Sequence, residues 1–281
     1  MYMILLFLQI CDRIEKRKVI FVTERRQSLP FQWQYYETNI ESRVLWESHC
    51  HAQFEMLCVL EGDISILLEG RRYRLTERQT VVIPPLCYHT ISANKRGSYR
   101  RITILFDPDA IPHELRPHFL KKDERLTIFP SPRAEELGEI CREENQELYA
   151  PLTQSIVIQL LYDDLRAERG NATEIDESLQ IILRYIDGHL GKKLTLSDLA
   201  ACAACSESTV SHLFAEKMKI SPKQYILQKK MALAEQLIRT GSPATLAAMQ
   251  VGYDNYSNFF RMYRKHVGTP PTKKDKNRKI G

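Results

Sequence analysis

The side chains best suited to chemistry lie between residues 49 and 89. The run His49-Cys50-His51-Ala52-Gln53-Phe54-Glu55 is separated from Gly62 by six residues. Histidines two apart on a strand project to the same face. Glu55 can return to that face from the next strand, and His89 follows Pro84-Pro85 on a later one. Three imidazoles and a carboxylate suit a divalent metal such as Zn²⁺, Fe²⁺, Mn²⁺ or Ni²⁺. The same groups can instead hydrogen-bond an organic ligand or line a polar pocket. Trp33, Tyr35, Tyr36, Trp46 and Tyr88 offer faces for stacking on a sugar-like or other planar molecule. Aromatics in β proteins otherwise belong to the core, and Trp46 is the one assigned here to the pocket. Cys202-Ala203-Ala204-Cys205 has the spacing of a metal or redox pair, but no second ligand pair is near it in sequence. Packing is the reading for that motif. Neither a phosphate-cradling G-x-x-x-x-G-K-[ST] nor a nucleophile-bearing G-x-S-x-G occurs.

These residues need strands to hold them. From Val44 to Phe106 short apolar runs of period two alternate with turn signals: Met56–Leu60, Ile64–Leu68, Thr80–Ile83 and Ile102–Phe106, broken by Glu61-Gly62, Glu69-Gly70 and Pro84-Pro85. Such spacing predicts a sandwich or small barrel. The charged runs Arg71–Arg74 and Lys121–Arg125 read as solvated faces. From Pro132 the period becomes helical, with Leu137, Ile140 and Cys141 on one face and Ile156, Leu160 and Leu161 on another. These faces, with Leu148, can pack on the strands or pair with a second subunit. Gly170-Asn171 with Thr173 marks a linker.

The chain has 281 residues, of which 43 % are apolar and 27 % charged. That length suits two domains with real cores and excludes a disordered or collagen-like chain. No window approaches the roughly 20 apolar residues of a membrane span. Met1–Ile10 is apolar for ten residues only, with its basic cluster after the run rather than before it, so it reads as a buried edge or an unphysiological start rather than a signal. Seven irregularly spaced cysteines suit reduced thiols in a cytoplasm. The net charge of +5 divides unevenly: −3 up to Ile175 and +8 from Asp176 onward. A basic last third suggests a polyanionic partner, although five of its cations lie in the tail at Lys273, Lys274, Lys276, Arg278 and Lys279.

Within that third, Leu194–Ser221 reads as two short helices about a tight turn. Thr195 or Ser197 can cap the first and Ser206 the second. Val210, Leu213, Phe214 and Met218 then face inward, leaving Ser208, Thr209, Ser211 and His212 as a polar outer face suited to base edges in a major groove. Ser221-Pro222 opens a long helix to about Arg239. A second pair follows: Ala244–Gln250, a turn at Val251-Gly252-Tyr253, and a helix capped by Asp254 or Asn255. Phe259, Met262 and Tyr263 face inward there. Tyr256, Ser257, Asn258, Arg261, Arg264 and Lys265 are left outside. Val210 and Phe259 are 49 apart, as are Phe214 and Tyr263, whereas Ala204 and Gly252 are 48 apart. A repeated helix–turn–helix with one extra turn residue explains these offsets. Two units on one connecting helix would set two reading helices about 34 Å apart on one face of DNA.

Gly252-Tyr253, Phe259-Phe260, Tyr263-Arg264-Lys265 and Val267-Gly268-Thr269-Pro270 resemble the signature of AraC-type (AraC/XylS) regulators over about Leu179–Pro271. The resemblance implies that Ser208, Ser211 and His212 read one major groove and Ser257, Asn258 and Arg261 the next. It also implies promoter DNA, RNA polymerase and a second copy of the chain as partners, and activation of transcription. The chain departs from the family pattern at Leu246, Ala247 and Lys273-Lys274. Upstream, the histidine segment is similar to a first cupin motif and Pro84–His89 to a second, over roughly Arg43–Phe106. Sensor domains of this family keep such a skeleton while binding an organic effector, or no metal at all.

The fold expected is therefore α+β with two domains: an N-terminal cupin-like β-barrel followed by two helices, and a C-terminal all-α domain of two helix–turn–helix units joined by a long helix. Its expected bounds are 1–130 for effector sensing, 131–170 for helical dimerisation or packing, 171–175 for the linker and 176–281 for DNA binding. The function expected is an effector-controlled, sequence-specific regulator without enzymatic activity. The alternatives are a metal-dependent cupin enzyme and a DNA-binding protein that senses nothing.

Overall fold

Alternation of side chains over two buried faces builds the N-terminal part of the molecule. The computed structural model describes residues 31–41, 46, 48–120, 126–142, 150–167, 173 and 175–271. The expectations for Met1–Ile10, Lys121–Arg125, Leu148, Gly170-Asn171 and the lysine-rich tail fall outside these. The chain separates into two compact units, with Gln53–Glu174 the main body of one and Ile175–Gly281 that of the other.

The first unit contains β1 (Phe31–Ile40), β2 (Phe54–Glu61), β3 (Asp63–Leu68), β4 (Arg71–Thr76), β5 (Gln79–Ile83), β6 (His89–Ala93), β7 (Gly97–Phe106) and β8 (Ile128–Pro130). Its helices are a single turn, α1 (Arg116–Phe119), then α2 (Ala134–Ile140) and α3 (Ala150–Arg166). The strands form a five-stranded sheet in the order β1-β7-β2-β5-β8 and a three-stranded sheet in the order β4-β3-β6, with antiparallel pairing throughout. Among the described residues no ladder joins the two sheets, so the expected barrel is open and has the form of a sandwich. The chain leaves one sheet for the other at the corner between β2 and β3. There a bulge falls between Val59 and Glu61, and Gly62 adopts φ +120°. A residue with a side chain is strained in that conformation.

Both faces of the larger sheet are covered. Phe54, Met56, Cys58 and Leu60 of β2 pack with Leu137, Ile140, Ile156 and Leu160 of α2 and α3. The intervening Leu57 and Val59 pack with Ile64, Ile66, Leu68 and Ile91 of the smaller sheet. Each fully buried aliphatic side chain contributes about 1.5–3 kcal/mol. The apolar helix faces read from the sequence are thus spent on the unit's own sheet. The run Arg71–Arg74 is part of β4 rather than a purely solvated face: Arg72 and Arg74 are exposed, but Tyr73 between them is fully buried. Arg74 donates to Asp63 through Nε (3.0 Å) and Nη2 (2.6 Å), and Asn94 Nδ2 donates to the same carboxylate at 2.8 Å. This ties β3 to β4 and to the residue following β6.

The second unit contains α4 (Glu177–Gly188), α5 (Leu196–Cys202), α6 (Glu207–Leu213), α7 (Pro222–Arg239), α8 (Ala244–Gln250) and α9 (Tyr256–Val267). Leu179, Ile182, Leu183 and Ile186 line the buried stripe of α4 at the spacing of one helix face. Thr195 caps α5 in a reciprocal box with Asp198, Ser206 caps α6, Ser221 forms a second box with Gln224 at α7, and Asn255 caps α9. α6 continues into a π-helical turn, Phe214–Met218, that buries Phe214 and Met218. α7 is anchored to α4 by Lys229 Nζ, 2.8 Å from Asp187 Oδ1, and to the segment after α4 by Lys230 Nζ, which donates to the Lys192 carbonyl at 2.8 Å.

The repeat is visible in the turns. Ala204 N–H donates to Ala201 and Cys205 N–H to Ala200; 48 residues on, Gly252 N–H donates to Met249 and Tyr253 N–H to Ala248. Ala204 (φ +50°) and Gly252 (φ +77°) occupy the same left-handed turn position. The two differ in room. A Cβ at Gly252 would lie 2.7 Å from the Gly191 carbonyl oxygen.

Gly252→Ala is therefore expected to cost several kcal/mol in chemical denaturation, combining positive-φ strain with a backbone clash, while Ala204→Gly is expected to gain up to about 1 kcal/mol. A second expectation concerns Asp63. Its hydrogen bonds from Arg74 hold the carboxyl far below the usual carboxylate range. A depressed carboxyl stabilises the fold above its unfolded value near 4 and loses that contribution as pH falls toward the folded value. Asp63→Asn should then cost about 1–2 kcal/mol at pH 7, with the deficit in Tm shrinking steadily below about pH 4.

Candidate functional site

Two groups of residues stand out. His49 and His51 do not lie on a continuous strand; they precede β2, with ring centroids 5.5 Å apart. Glu55 on β2 and His89 at the start of β6 are both buried, and His89 Nε2 is 3.2 Å from Glu55 Oε2. The potential ligand atoms of His49, His51, Glu55 and His89 all lie within 4.8 Å of one another. The fold thus brings together all four residues that the sequence nominated.

The tautomer of His89 bears on what this cluster can hold. Its Nδ1 is 2.9 Å from the Cys87 carbonyl oxygen, which can only accept, so the proton of a neutral ring belongs on Nδ1. Nε2 then presents a lone pair toward a carboxylate oxygen. Two lone pairs at this distance repel unless a proton or a metal cation stands between them. A carbonyl that fixes the distal nitrogen is also the usual outer support of a metal-binding histidine. The donor set therefore fits a divalent transition metal, with His49, His51, Glu55 and His89 as the holders.

The aromatic candidates divide between the two faces of the larger sheet. Trp33 and Tyr35 pack on the helix side, where no ligand between the sheets can touch them. Tyr36 and Trp46 lie in the layer between the sheets, and Tyr88 is fully buried. Trp46 is tied to β6: its N–H donates to the Ile91 carbonyl (2.9 Å), and its carbonyl accepts from Thr90 Oγ1 (2.6 Å). Beside it lie two residues that sequence reasoning did not single out, Tyr99 and Arg101 of β7. The Arg101 guanidinium carbon is 5.0 Å from the Tyr36 ring centroid, 5.2 Å from Trp46 and 5.9 Å from Tyr99. Arg101 is only 4 % exposed. A period-two reading of β7 would have found it, since Tyr99, Arg101 and Thr103 share one face while Ile102, Ile104 and Phe106 share the other. A charged depression of about 600 Å³ is lined by Asp63, Arg72, Arg74, Lys95 and Thr173, none of them in this group.

In the C-terminal unit Ser208, Thr209, Ser211 and His212 are all exposed on α6, and Tyr256, Ser257, Asn258, Arg261, Arg264 and Lys265 are all exposed on α9. Several are committed locally. Thr209 Oγ1 is 2.9 Å from the Ser206 cap hydroxyl, and Ser211 Oγ donates to the Glu207 carbonyl at 3.0 Å. His212 Nδ1 is 3.5 Å from Glu216 Oε2, so the polar face of α6 carries an acid at its C-terminal edge. On α9, Asn258 N–H donates to the Asn255 cap, and Arg261 Nη2 donates to Asn258 Oδ1 at 3.2 Å. That contact holds the guanidinium over the first turn of the helix, the part that meets base edges when such a helix enters a major groove. Of the inward residues, Phe259 and Tyr263 are buried and Met262 is half-buried. Leu246, one of the departures from the family pattern, is 43 % exposed, and Ala247 beside it is fully buried. Cys202 Sγ donates to the Leu199 carbonyl at 3.2 Å, in keeping with packing. Among the described residues no metal-capable cluster includes Cys202 or Cys205.

Comparison with known proteins places these observations in a family. A model described as an AraC-like ligand binding domain matches residues 35–180, and one described as a helix-turn-helix domain matches 199–277. The chain is 34 % identical over 115 residues to the probable transcriptional regulator LumQ of Photobacterium leiognathi, a match covering 41 % of this chain and 44 % of that protein. It is 27 % identical over 237 residues to the uncharacterized HTH-type transcriptional regulator YobQ of Bacillus subtilis, covering 81 % of this chain and 88 % of that one. Among solved structures, unsaturated fatty acid bound wild-type ToxT from Vibrio cholerae is similar with a TM-score of 0.43 and 13 % identity, over 88 % of this chain and 95 % of that one.

Arg261 supplies the sharpest mutational test of the C-terminal face. Arg261→Ala is expected to cost about 1–3 kcal/mol of discrimination at particular base pairs of one half-site, measured as competition between matched and singly substituted duplexes. An equal loss on every duplex would make Arg261 a phosphate contact instead.

Proposed function

Given that the chain belongs to the AraC-type regulators, with a ligand-binding domain followed by a helix–turn–helix domain, we propose that it binds promoter DNA sequence-specifically under the control of a small molecule held in the N-terminal unit. The observation that carries this reading is the repeat in the C-terminal unit: two short capped helices, each preceded by the same left-handed turn, each with an outer face of polar or basic side chains. α6 and α9 are the reading helices. Ser208, Ser211 and His212 meet one major groove, and Ser257, Asn258 and Arg261 the next. Arg264 and Lys265 neutralise phosphates beside α9, and Thr209 and Tyr256 flank the two reading faces.

The proposal extends to a homodimer that acts in the cytoplasm and activates transcription by presenting the promoter to RNA polymerase. No helix among the described residues is long and apolar enough to cross a membrane. Control by an effector requires that it bind one arrangement of the regulator on DNA better than another, since equal affinity shifts nothing. Its seat in this reading is the space between the two sheets, bordered by Trp46, His89 and Glu55.

A second use of the histidine cluster is favoured by the convergence of its four donor side chains. In that reading His49, His51, Glu55 and His89 hold a divalent metal, which would supply a fixed positive charge for an anionic or hydroxylated part of the effector.

Footprinting of the purified chain on its own upstream DNA, across several salt concentrations, tests the main reading. Two protected major-groove segments per subunit, more resistant to salt than binding to a shuffled duplex, are expected; equal and steeply salt-dependent binding to both would mean that only phosphates are read. Elemental analysis of the same preparation separates the uses of the cluster. About one metal ion per chain, lost in His89→Ala, is expected for a metal site; a metal-free protein that still responds to effector assigns the four side chains to hydrogen bonding.

A further inference from the structure

A buried cation lies between the two sheets with its hydrogen-bonding capacity unmet. Arg101 is 4 % exposed, and its Nε and Nη1 find no acceptor among the described residues. The hydroxyl of Tyr99, fully buried, lies beside the guanidinium and interacts with it, and has no acceptor of its own among the described residues. A buried guanidinium ordinarily has a carboxylate in its plane, because removing the charge from water without one is costly. Here the rings of Tyr36, Trp46 and Tyr99 surround it instead. They pack on one another at centroid distances of 5.2–6.2 Å. Aromatic faces offset part of the charge, but a π-face is a poor substitute for an acceptor in the plane of the N–H groups.

The other charged groups of this unit's interior are engaged elsewhere. Asp63 is held by Arg74 and Asn94. Glu55 faces the same layer as Arg101 and acts on it through space, but its Oε2 lies against His89. The surrounding side chains, Leu57, Ile64 and Ile66 among them, are apolar.

We propose that Arg101 is the anchor for an organic carboxylate, and that the effector of this regulator is a small acid with a flat or apolar body rather than a neutral sugar. The carboxylate accepts from the guanidinium in its plane, the geometry in which Arg binds carboxylates most strongly. The Tyr99 hydroxyl donates to the same group. The hydrocarbon body lies against Trp46 and the aliphatic side chains. This assignment rests on the reading that an effector binds between the sheets, and it names the chemical class of that effector.

Trp33 and Trp46 are the two tryptophans of the chain, so a Trp33→Phe background reports on Trp46 alone. In that background the full-length protein is titrated with benzoate and phenylacetate, and with their primary amides, while Trp fluorescence is followed. The acids are expected to give a saturable change and the amides to bind at least tenfold more weakly. Arg101→Met should lose the acids by tenfold or more, and Arg101→Lys should keep a part of their binding. Because the ligand-free chain carries an unanswered charge, Arg101→Met should also raise its Tm. Equal binding of acids and amides overturns the carboxylate assignment while leaving an effector site in place. A chain whose Trp46 signal responds to none of the four compounds up to their solubility overturns the effector site as well. A marked fall in Tm for both Arg101→Met and Arg101→Lys makes Arg101 a structural cation and overturns the proposal. DNA recognition is judged separately by the footprint of the wild-type chain, so the failure of either reading is visible without the other.

Discussion

Burial of the five-stranded sheet on both faces is the constraint on which the N-terminal unit depends. One face meets α2 and α3, the other meets the three-stranded sheet. Every second residue of β2 and β7 therefore belongs to one apolar layer or the other, and any polar group on the inner face must be matched or left costly. The inner layer holds few such groups. Glu55 and His89 answer one another, with a proton or metal needed between them. Arg101 lies among three rings and the Tyr99 hydroxyl, with no acceptor for its Nε or Nη1 among the described residues. A scaffold with both faces sealed can keep such groups in fixed places, which is what a ligand site needs and what a solvated loop would not supply.

The C-terminal unit solves a different problem with small means. Two short helices stand at an angle only if the chain turns sharply between them, and a sharp turn needs a residue with φ in the left-handed region. In the second copy this is Gly252, pressed so closely on the Gly191 carbonyl that a side chain has no room. In the first copy an alanine accepts the same conformation, at some strain. Caps of the same kind follow at the same place in both copies, Ser206 and Asn255. The buried pairs at Val210 and Phe259 and at Phe214 and Tyr263 then put the polar faces outward. The two faces are not alike. α6 offers hydroxyls and one histidine beside an acid, whereas α9 offers Arg261, Arg264 and Lys265. Affinity and discrimination should therefore draw more on α9.

Departures from expectation have local causes. The cupin-like fold stands, with its barrel unclosed among the described residues: at Gly62, after the bulge at Val59–Glu61, the chain passes from the larger sheet to the smaller. The arginine run became a strand because Tyr73 and Leu75 alternate with its charges, a period-two signal that charge counting hid. Trp33 and Tyr35 left the candidate pocket because their parity on β1 puts them on the helix side, the same parity that keeps Tyr36 in the inner layer.

Much of this was legible in the residues alone. Strand periodicity, capping residues, the 48- and 49-residue offsets and the signature around Gly252 and Phe259 are local patterns, and local patterns determine which elements form and which family they belong to. The meeting of His49, His51, Glu55 and His89 was also foreseeable from residue type and spacing, although His49 and His51 precede β2 instead of sharing a strand face. The tertiary structure decided what parity cannot. When both faces of a sheet are buried, alternation no longer tells an inner face from an outer one, and only the packing of the second sheet and the helices separates them. For that reason the parity of β7 could place Arg101 on the face of Tyr99 and Thr103, but only the packing showed that this face is the buried inner one, with three rings around the guanidinium.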